Sequence, residues 1–160
     1  MKKKYFNSSK DELISLQLRI FERDALELSA QYEMWEAQLQ SQNGLQTKSA
    51  GGSGSDGNQK ETEQQLKNLH EHVSLIQTQT FEVAQRGRDL LGTFERSGIT
   101  LMADSQYNGQ TRVQVLLDYI QERQMDIEDL AAIRRIRLEQ CVQLCQFESD
   151  ANQASTLLLP

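Results

Sequence analysis

The feature that most constrains this 160-residue chain is the spacing of its apolar residues over three long stretches. In the first stretch they alternate between steps of three and four residues: Ile14, Leu18, Phe21, Ala25, Leu28, Tyr32, Trp35 and Leu39. This spacing places one apolar stripe along an α-helix. A second stretch, 66–94, follows the same rule with polar Thr80 and small Gly87 in the stripe, and a third, 113–141, follows it less regularly. Three such helices predict an all-α, left-handed antiparallel three-helix bundle of the coiled-coil type.

Glycine, proline and capping residues set the limits of these helices. The one proline is the last residue, and seven of the nine glycines lie in two polar segments, around 44–57 and 98–109. Ser9 and Thr111 each precede a Glu or Gln by three residues, which is the pattern of a capping box at a helix start. These signals predict helices at 10–42, 59–96 and 111–153, a flexible N-terminal segment at 1–9 and a flexible Gly/Ser loop at 43–58.

Nine residues near the start of the chain occur again near its end. Gln17–Ala25 (QLRIFERDA) and Gln143–Ala151 (QLCQFESDA) share six identical positions. Such a copy indicates that a structural unit begins twice, with one complete unit between the two copies. No glycine or proline separates Thr111 from the second copy, so the third helix is expected to run into it without a break. We therefore predict one repeat at 10–142 and the start of a second, truncated repeat at 143–160.

The two copies are expected to place equivalent side chains on the inward face of their helices: Leu18 and Leu144, Phe21 and Phe147, Ala25 and Ala151. Because the second unit is truncated, its apolar face at Leu144, Phe147 and 157–159 lacks bundle partners. This face motivates an alternative, a self-associating structural coiled coil, although a monomer is expected rather than a dimer.

The predicted core lies on the inward stripes of the three helices: Leu18, Phe21, Leu28, Trp35, Leu39, Leu69, Val73, Ile76, Val83, Leu90, Leu116, Ile120, Ile127 and Leu138. For Trp35 there is a second interpretation, since an exposed tryptophan would be a hot spot for binding. Its place in an unbroken heptad favours the core.

Composition and charge exclude several function classes. The chain has 38% hydrophobic and 25% charged residues, which is ordinary for a globular domain. Its net charge of −6 argues against nucleic-acid binding, because phosphate contacts need a basic face, and the one concentrated positive run is 2–4. No stretch approaches the roughly 18 apolar residues of a spanning helix, so no membrane insertion is expected. Two cysteines are too few for a disulfide scaffold, and we expect a cytoplasmic chain.

The histidines and cysteines do not form a metal-binding pattern. His70 and His72 are two residues apart and point to different sides of a helix, so they cannot share a metal and are interpreted as surface residues. Cys141 and Cys145 lie on one helical face, but zinc normally takes four ligands and the chain has no further cysteine. We expect free thiols that are buried or half-buried, and no metal.

Sequence signals for catalysis are also missing. The chain has no phosphate-binding glycine loop and no nucleophile-elbow motif. The adjacent carboxylates Glu128 and Asp129 are interpreted as part of a solvated helix face rather than as an acid–base pair. The arginines Arg134, Arg135 and Arg137 form a cluster that could orient a docking partner, with ordinary solvation as the simpler interpretation. We therefore predict no enzyme activity and no cofactor.

Three stretches of the chain resemble one family closely. LQLRIFERDA, TRVQVLLDYIQERQ and LEQCVQL are similar to the spectrin-repeat region of the Trio and kalirin family of Rho guanine-nucleotide exchange factors, and the resemblance covers most of residues 16–148. The Gly/Ser loop SAGGSGSDGN looks longer than the family's usual connection. The resemblance implies a spectrin repeat, a three-helix bundle whose third helix continues into the next repeat.

The resemblance also implies a function. Proteins of this family couple guidance and adhesion cues to actin remodelling by loading GTP onto Rho-type GTPases through Dbl-homology and pleckstrin-homology domains, neither of which fits here. Their repeats are spacers and docking surfaces. We therefore expect a non-catalytic module that contacts other proteins, whether signalling, adhesion or cytoskeletal partners, and that has no nucleic-acid ligand.

Overall fold

Three long helices make up the fold, as the apolar spacing predicts. The computed structural model describes residues 2–44, 55–97, 102–104 and 107–158. Its elements in chain order are α1 (Lys2–Gly44), α2 (Ser55–Ser97), β1 (Met102–Asp104), β2 (Tyr107–Asn108) and α3 (Gly109–Leu158). The all-α, three-helix prediction is confirmed.

The helix α1 starts earlier than the sequence signals indicate. The predicted start was residue 10, after a flexible segment at 1–9, whereas the backbone is helical from Lys2 onward. Ser9, expected to cap the helix, lies inside it. Residues 2–10 contain neither glycine nor proline, the two residues that oppose a helix most strongly, so the extra turns are possible. At its other end α1 closes at Gly44, close to the predicted limit.

The predicted Gly/Ser loop at 43–58 is shortened from both sides. Asn43 and Gly44 belong to α1, and α2 begins at Ser55; residues 45–54 lie outside the described part of the chain. The helix α2 ends at Ser97, one residue beyond the predicted limit. The helix bounds on either side of this loop therefore differ from the predicted ones by a few residues.

The connection from α2 to α3 contains a short β pair that the sequence did not predict. β1 and β2 are antiparallel, with Met102 opposite Asn108 and Asp104 opposite Tyr107. Strands of three and two residues are too short to show a period of two in sequence. The pair lies within the segment 98–109, which was predicted only as a polar connection.

The helix α3 is a single element of 50 residues. It begins at Gly109 and continues through Gln143–Ala151 to Leu158 without a break. The second copy of the repeated nonapeptide is therefore helical, like the first.

Contacts divide the chain into two compact units, each containing a segment of all three helices. One unit comprises Met1–Met34 and Ile76–Asp126, and the other comprises Trp35–Leu75 and Ile127–Pro160. This division cuts across the helices and does not fall at the predicted boundary between 10–142 and 143–160. That repeat boundary stays a prediction.

The first unit holds most of the buried apolar residues. They are Ile14, Leu18, Phe21, Ala25, Leu28 and Tyr32 on α1, Ile76, Val83, Ala84, Leu90 and Phe94 on α2, and Val113, Leu117 and Ile120 on α3. In the second unit the buried apolar residues among those described are Leu39, Ile127, Ala131 and Leu138. Most of the described buried apolar residues therefore lie in the unit that contains the first copy of the repeat.

Two positions that interrupt the apolar stripe of α2 have defined roles in the first unit. Thr80 is buried, and its hydroxyl is hydrogen-bonded to the hydroxyl of Tyr32 on α1. Gly87 is buried where α1 and α3 approach α2 closely: a Cβ there would lie 2.7 Å from both Phe21 Cε2 and Leu117 Cδ2. A buried polar group is stable when it is hydrogen-bonded, and a glycine admits side chains that any other residue would exclude.

Candidate interaction sites

The first copy of the nonapeptide, Gln17–Ala25, is packed into the first unit. Leu18, Phe21 and Ala25 are buried, and only 1% of Phe21 is exposed. The Phe21 ring lies against the backbone of α2 at Gly87. These three side chains therefore anchor this part of α1 to the other two helices.

Two ion pairs flank this anchor. The Asp24 carboxylate is 2.5 Å from Arg86 Nη1 on α2, and the Glu22 carboxylate is 2.5 Å from Arg112 Nη2 on α3. Both carboxylates are largely covered, with 13% and 22% of their side chains exposed. The pairs tie α1 to each neighbouring helix, although their arginines are partly exposed and each pair is worth on the order of 1 kcal/mol or less.

The second copy, Gln143–Ala151, has a different environment. The exposed fractions of Leu144 and Phe147 are 59% and 71%, and Ala151 is exposed as well. This exposure agrees with the expectation that the apolar face of the second copy lacks bundle partners, since no second helix pair among the described residues covers it. Leu157 is also exposed, while residue 159 lies outside the described part.

An apolar groove lies between α1 and α3 in the first unit. It is lined by Glu22, Leu26, Arg112, Val115 and Leu116 and has a volume of about 390 Å³. Leu26 and Val115 are exposed although both are apolar. The groove can hold an apolar side chain beside the Glu22–Arg112 ion pair. Sequence reasoning missed it because Leu26 and Val115 lie outside the inward stripes.

The arginine cluster on α3 is used within the second unit. Arg134 Nη1 donates to the backbone carbonyl of Gln42 at 3.3 Å, and its Nη2 donates to the side-chain oxygen of Gln65 at 3.2 Å. Arg137 donates to the carbonyl of Asn43, and Asn43 Nδ2 donates to the carbonyl of Leu130 at 3.3 Å. Cationic groups at the C-terminal carbonyls of a helix complement its dipole and satisfy acceptors that have no intrahelical donor.

These bonds change the interpretation of the cluster. Arg134 and Arg137 bind carbonyls at the end of α1, while Arg137 remains exposed. Arg135 is exposed, with a distance of 3.9 Å to Glu139 on the next turn.

Replacing Arg134 with alanine is expected to lower the free energy of unfolding by about 1 kcal/mol, because two cross-helix hydrogen bonds are lost, one of which caps the end of α1. Urea denaturation followed by far-UV circular dichroism measures the change. Arg135→Ala is the matched control and should change it by less than about 0.5 kcal/mol. Equal losses at both positions would contradict the capping role.

The predicted core residues have two degrees of burial. Ten are buried, namely Leu18, Phe21, Leu28, Leu39, Ile76, Val83, Leu90, Ile120, Ile127 and Leu138. Trp35, Leu69, Val73 and Leu116 are half-buried. Trp35 therefore fits neither an exposed hot spot nor a fully enclosed core residue, and Leu116 forms part of the wall of the groove.

The histidines and cysteines lie apart from these surfaces. His70 and His72 are exposed, and Cys141 and Cys145 are half-buried free thiols. Among the residues that the structure describes, no group of three or more His, Cys, Asp or Glu side chains is arranged to hold a metal. In the same part of the chain, no helix combines the length and apolar character that crossing a membrane requires.

The three helices, their buried stripes and the exposed apolar sites define a structural helical-bundle module. The protein-family model described as Kalirin-like, spectrin repeats, matches residues 17–131, which is more than half of the chain and starts at the first residue of the first nonapeptide. The chain therefore belongs to the family of kalirin-like spectrin repeats, and the resemblance noted in the sequence is confirmed. No solved structure matches the chain.

Proposed function

We propose that the chain is a non-catalytic interaction and spacer module of a Trio/kalirin-like Rho guanine-nucleotide exchange factor that acts in the cytoplasm. The observation that carries the proposal is α3, one helix of 50 residues that continues without a break through the second nonapeptide. A helix without glycine or proline in its interior lacks the commonest causes of a sharp kink, so it can connect two neighbouring repeats as one continuous element.

The surfaces of the module suit protein partners. The groove beside Leu26 and Val115 is apolar with an ion pair at its edge, and the α3 segment around Leu144 and Phe147 exposes large apolar side chains. Exposed apolar surface rimmed by polar groups marks interaction sites more often than it marks random surface. In this proposal the partners are signalling, adhesion or cytoskeletal proteins, and the parent protein acts in Rho GTPase signalling, actin remodelling and axon guidance.

A nucleotide-exchange assay tests the non-catalytic part of the proposal. A Rho-type GTPase loaded with a fluorescent guanine nucleotide should release it at its intrinsic rate when the purified chain is present in excess. Chelation of Mg²⁺ by EDTA serves as the positive control, since it releases the nucleotide from the same preparation. Acceleration that depends on the concentration of the chain would contradict the proposal.

Self-association is the second candidate function, and the exposure of Leu144 and Phe147 favours it. Sedimentation velocity at several concentrations separates the candidates. A spacer module is expected to remain monomeric at all of them. A dimer that disappears in a Leu144→Asp, Phe147→Asp variant would support the second candidate instead.

A further inference from the structure

The helices α1 and α3 keep one register where they meet in the first unit. Glu22 pairs with Arg112, and the hydroxyl of Ser29 is 2.9 Å from the hydroxyl of Tyr119. Both contacts join residues that are 90 apart in the sequence, and they are separated by two helical turns. A residue on this edge of α1 therefore lies beside the residue about 90 positions later on α3.

Both helices repeat the same order of side chains along this edge. Leu26 on α1 and Val115 on α3 line the apolar groove. Seven residues later α1 has Glu33, and seven residues after Val115 α3 has Glu122. Seven residues make two turns of a helix, so each carboxylate lies on the same face as an apolar side chain and about 10.5 Å further along. The groove therefore leads from an apolar level to an acidic level.

The apolar level is open to a ligand. The exposed fractions of Leu26 and Val115 are 67% and 57%, and half-buried Leu116 lies in the lining with them. Single exposed apolar side chains are ordinary on a protein surface, but these two come from different helices and line one concave groove. An apolar side chain placed between them would remove both from water.

The acidic level is open as well. Glu33 and Glu122 are exposed, and Asp126 follows on the next turn of α3. The arginine at this level, Arg123, has its Nη1 3.9 Å from the Asp126 carboxylate, so three carboxylates are opposed by one guanidinium. Because opposite charges across an interface favour association and like charges oppose it, this level selects a cationic group.

We propose that this groove binds an amphipathic helix of a partner protein that carries an apolar anchor and, two turns away, a lysine or arginine. The anchor lies between Leu26 and Val115, and the basic group lies at Glu33 and Glu122. A helix suits a groove between two helices with a fixed register, whereas an extended peptide needs a sheet edge, which neither α1 nor α3 offers. This inference rests on the proposed function as an interaction module and adds the chemistry of the partner.

Two synthetic peptides of about 20 residues, built on an alanine–glutamine helix, are the probes. Each has leucines at i and i+4 and lysines one to two turns away; in one peptide the lysines follow the leucines, and in the other they precede them. Fluorescence anisotropy with the full chain should show saturable binding of at least one probe below about 1 mM. Serine in place of the leucines, or glutamate in place of the lysines, should weaken it at least about tenfold. Failure of both probes to bind would overturn the proposal.

Substitutions in the chain locate the binding. Leu26→Gln with Val115→Gln should weaken binding of the lysine probe at least about tenfold, and so should Glu33→Lys with Glu122→Lys. The glutamate version of the probe should bind this second variant more tightly than it binds the unchanged chain. All four residues are exposed, and far-UV circular dichroism checks that the helices are kept.

A matched control uses a part of the first unit outside the groove. Phe81 and Glu82 on α2 are exposed, and 63% of Phe81 is open to solvent, close to the value for Leu26. Phe81→Gln with Glu82→Gln should change the affinity by less than about twofold. A loss as large as that of the groove variants would overturn the proposal.

Sedimentation velocity of the unchanged chain and of the Leu26→Gln, Val115→Gln variant tests a second copy as the occupant. Monomers in both cases support the proposal. A dimer that only the unchanged chain forms would overturn it, because the groove would then be an interface between copies. None of these measurements bears on nucleotide exchange, so failure here is distinguishable from failure of the proposed function.

Discussion

Truncating Phe21 to alanine is expected to lower the free energy of unfolding by about 3–5 kcal/mol, because the ring is buried and its loss leaves a cavity. The same truncation at Phe147 should change it by less than about 0.5 kcal/mol, because 71% of that side chain is exposed. The two phenylalanines occupy equivalent positions in the repeated nonapeptide. The chain therefore contains its own matched control.

Urea denaturation at equilibrium, followed by far-UV circular dichroism, measures both variants against the unchanged chain. The slope of the free energy against urea should stay constant, so that a shift in midpoint reports stability alone. Similar losses for the two variants would mean that Phe147 is covered in solution, either by a second copy or by another part of the chain. Repeating the Phe147→Ala measurement at several protein concentrations separates those cases.

Replacing Gly87 with alanine is expected to destabilise the bundle by about 1–2 kcal/mol. The added methyl group would lie 2.7 Å from Phe21 Cε2 and Leu117 Cδ2, which forces well-packed side chains to shift. Overpacking of this kind costs about 1–3 kcal/mol, and the gain in helix propensity from glycine to alanine returns up to about 1 kcal/mol. The steric cost exceeds the gain because these neighbours are buried.

Gly92 provides the control for this prediction, since it lies in the same helix and, among the described residues, its added Cβ would meet only Arg96 Nη2, at 3.8 Å. Gly92→Ala should therefore stabilise the chain by about 0.5–1 kcal/mol through helix propensity. The opposite signs are the diagnostic result, and thermal melts of both variants measure them. Stabilisation by Gly87→Ala would show that α1 and α3 do not approach α2 as closely as described.

The helices were predictable because the apolar spacing that indicates each of them lies within a single long segment of the chain. Apolar residues at alternating steps of three and four can be recognised from the sequence of one segment alone. The ends of the helices were less predictable. The helix α1 begins at Lys2 rather than near residue 10, because a capping box at Ser9 favours a helix start there but does not prevent an earlier one. The short strands β1 and β2 were not predicted, because so few residues cannot show the alternation of apolar and polar side chains that indicates a strand.

The roles of individual residues depended on what lies opposite them. Thr80 and Gly87 looked like weak points of the apolar stripe on α2. In the structure Thr80 pairs with the Tyr32 hydroxyl, and Gly87 accommodates the Phe21 ring. Likewise, Arg134 and Arg137 looked like surface charge, and they bind the last carbonyls of α1. No periodicity within one helix indicates which residue of another helix it will meet.

The sequence by itself determined three amphipathic helices, the absence of recognised catalytic motifs and the duplication of the nonapeptide. Only the tertiary structure decided that the first copy packs its Phe21 ring against Gly87 and pairs its carboxylates with Arg86 and Arg112. The physical reason is that helix formation and periodicity are properties of neighbouring residues along the chain. Burial and ion pairing depend on residues far away in sequence, so nearly identical nonapeptides end in different environments.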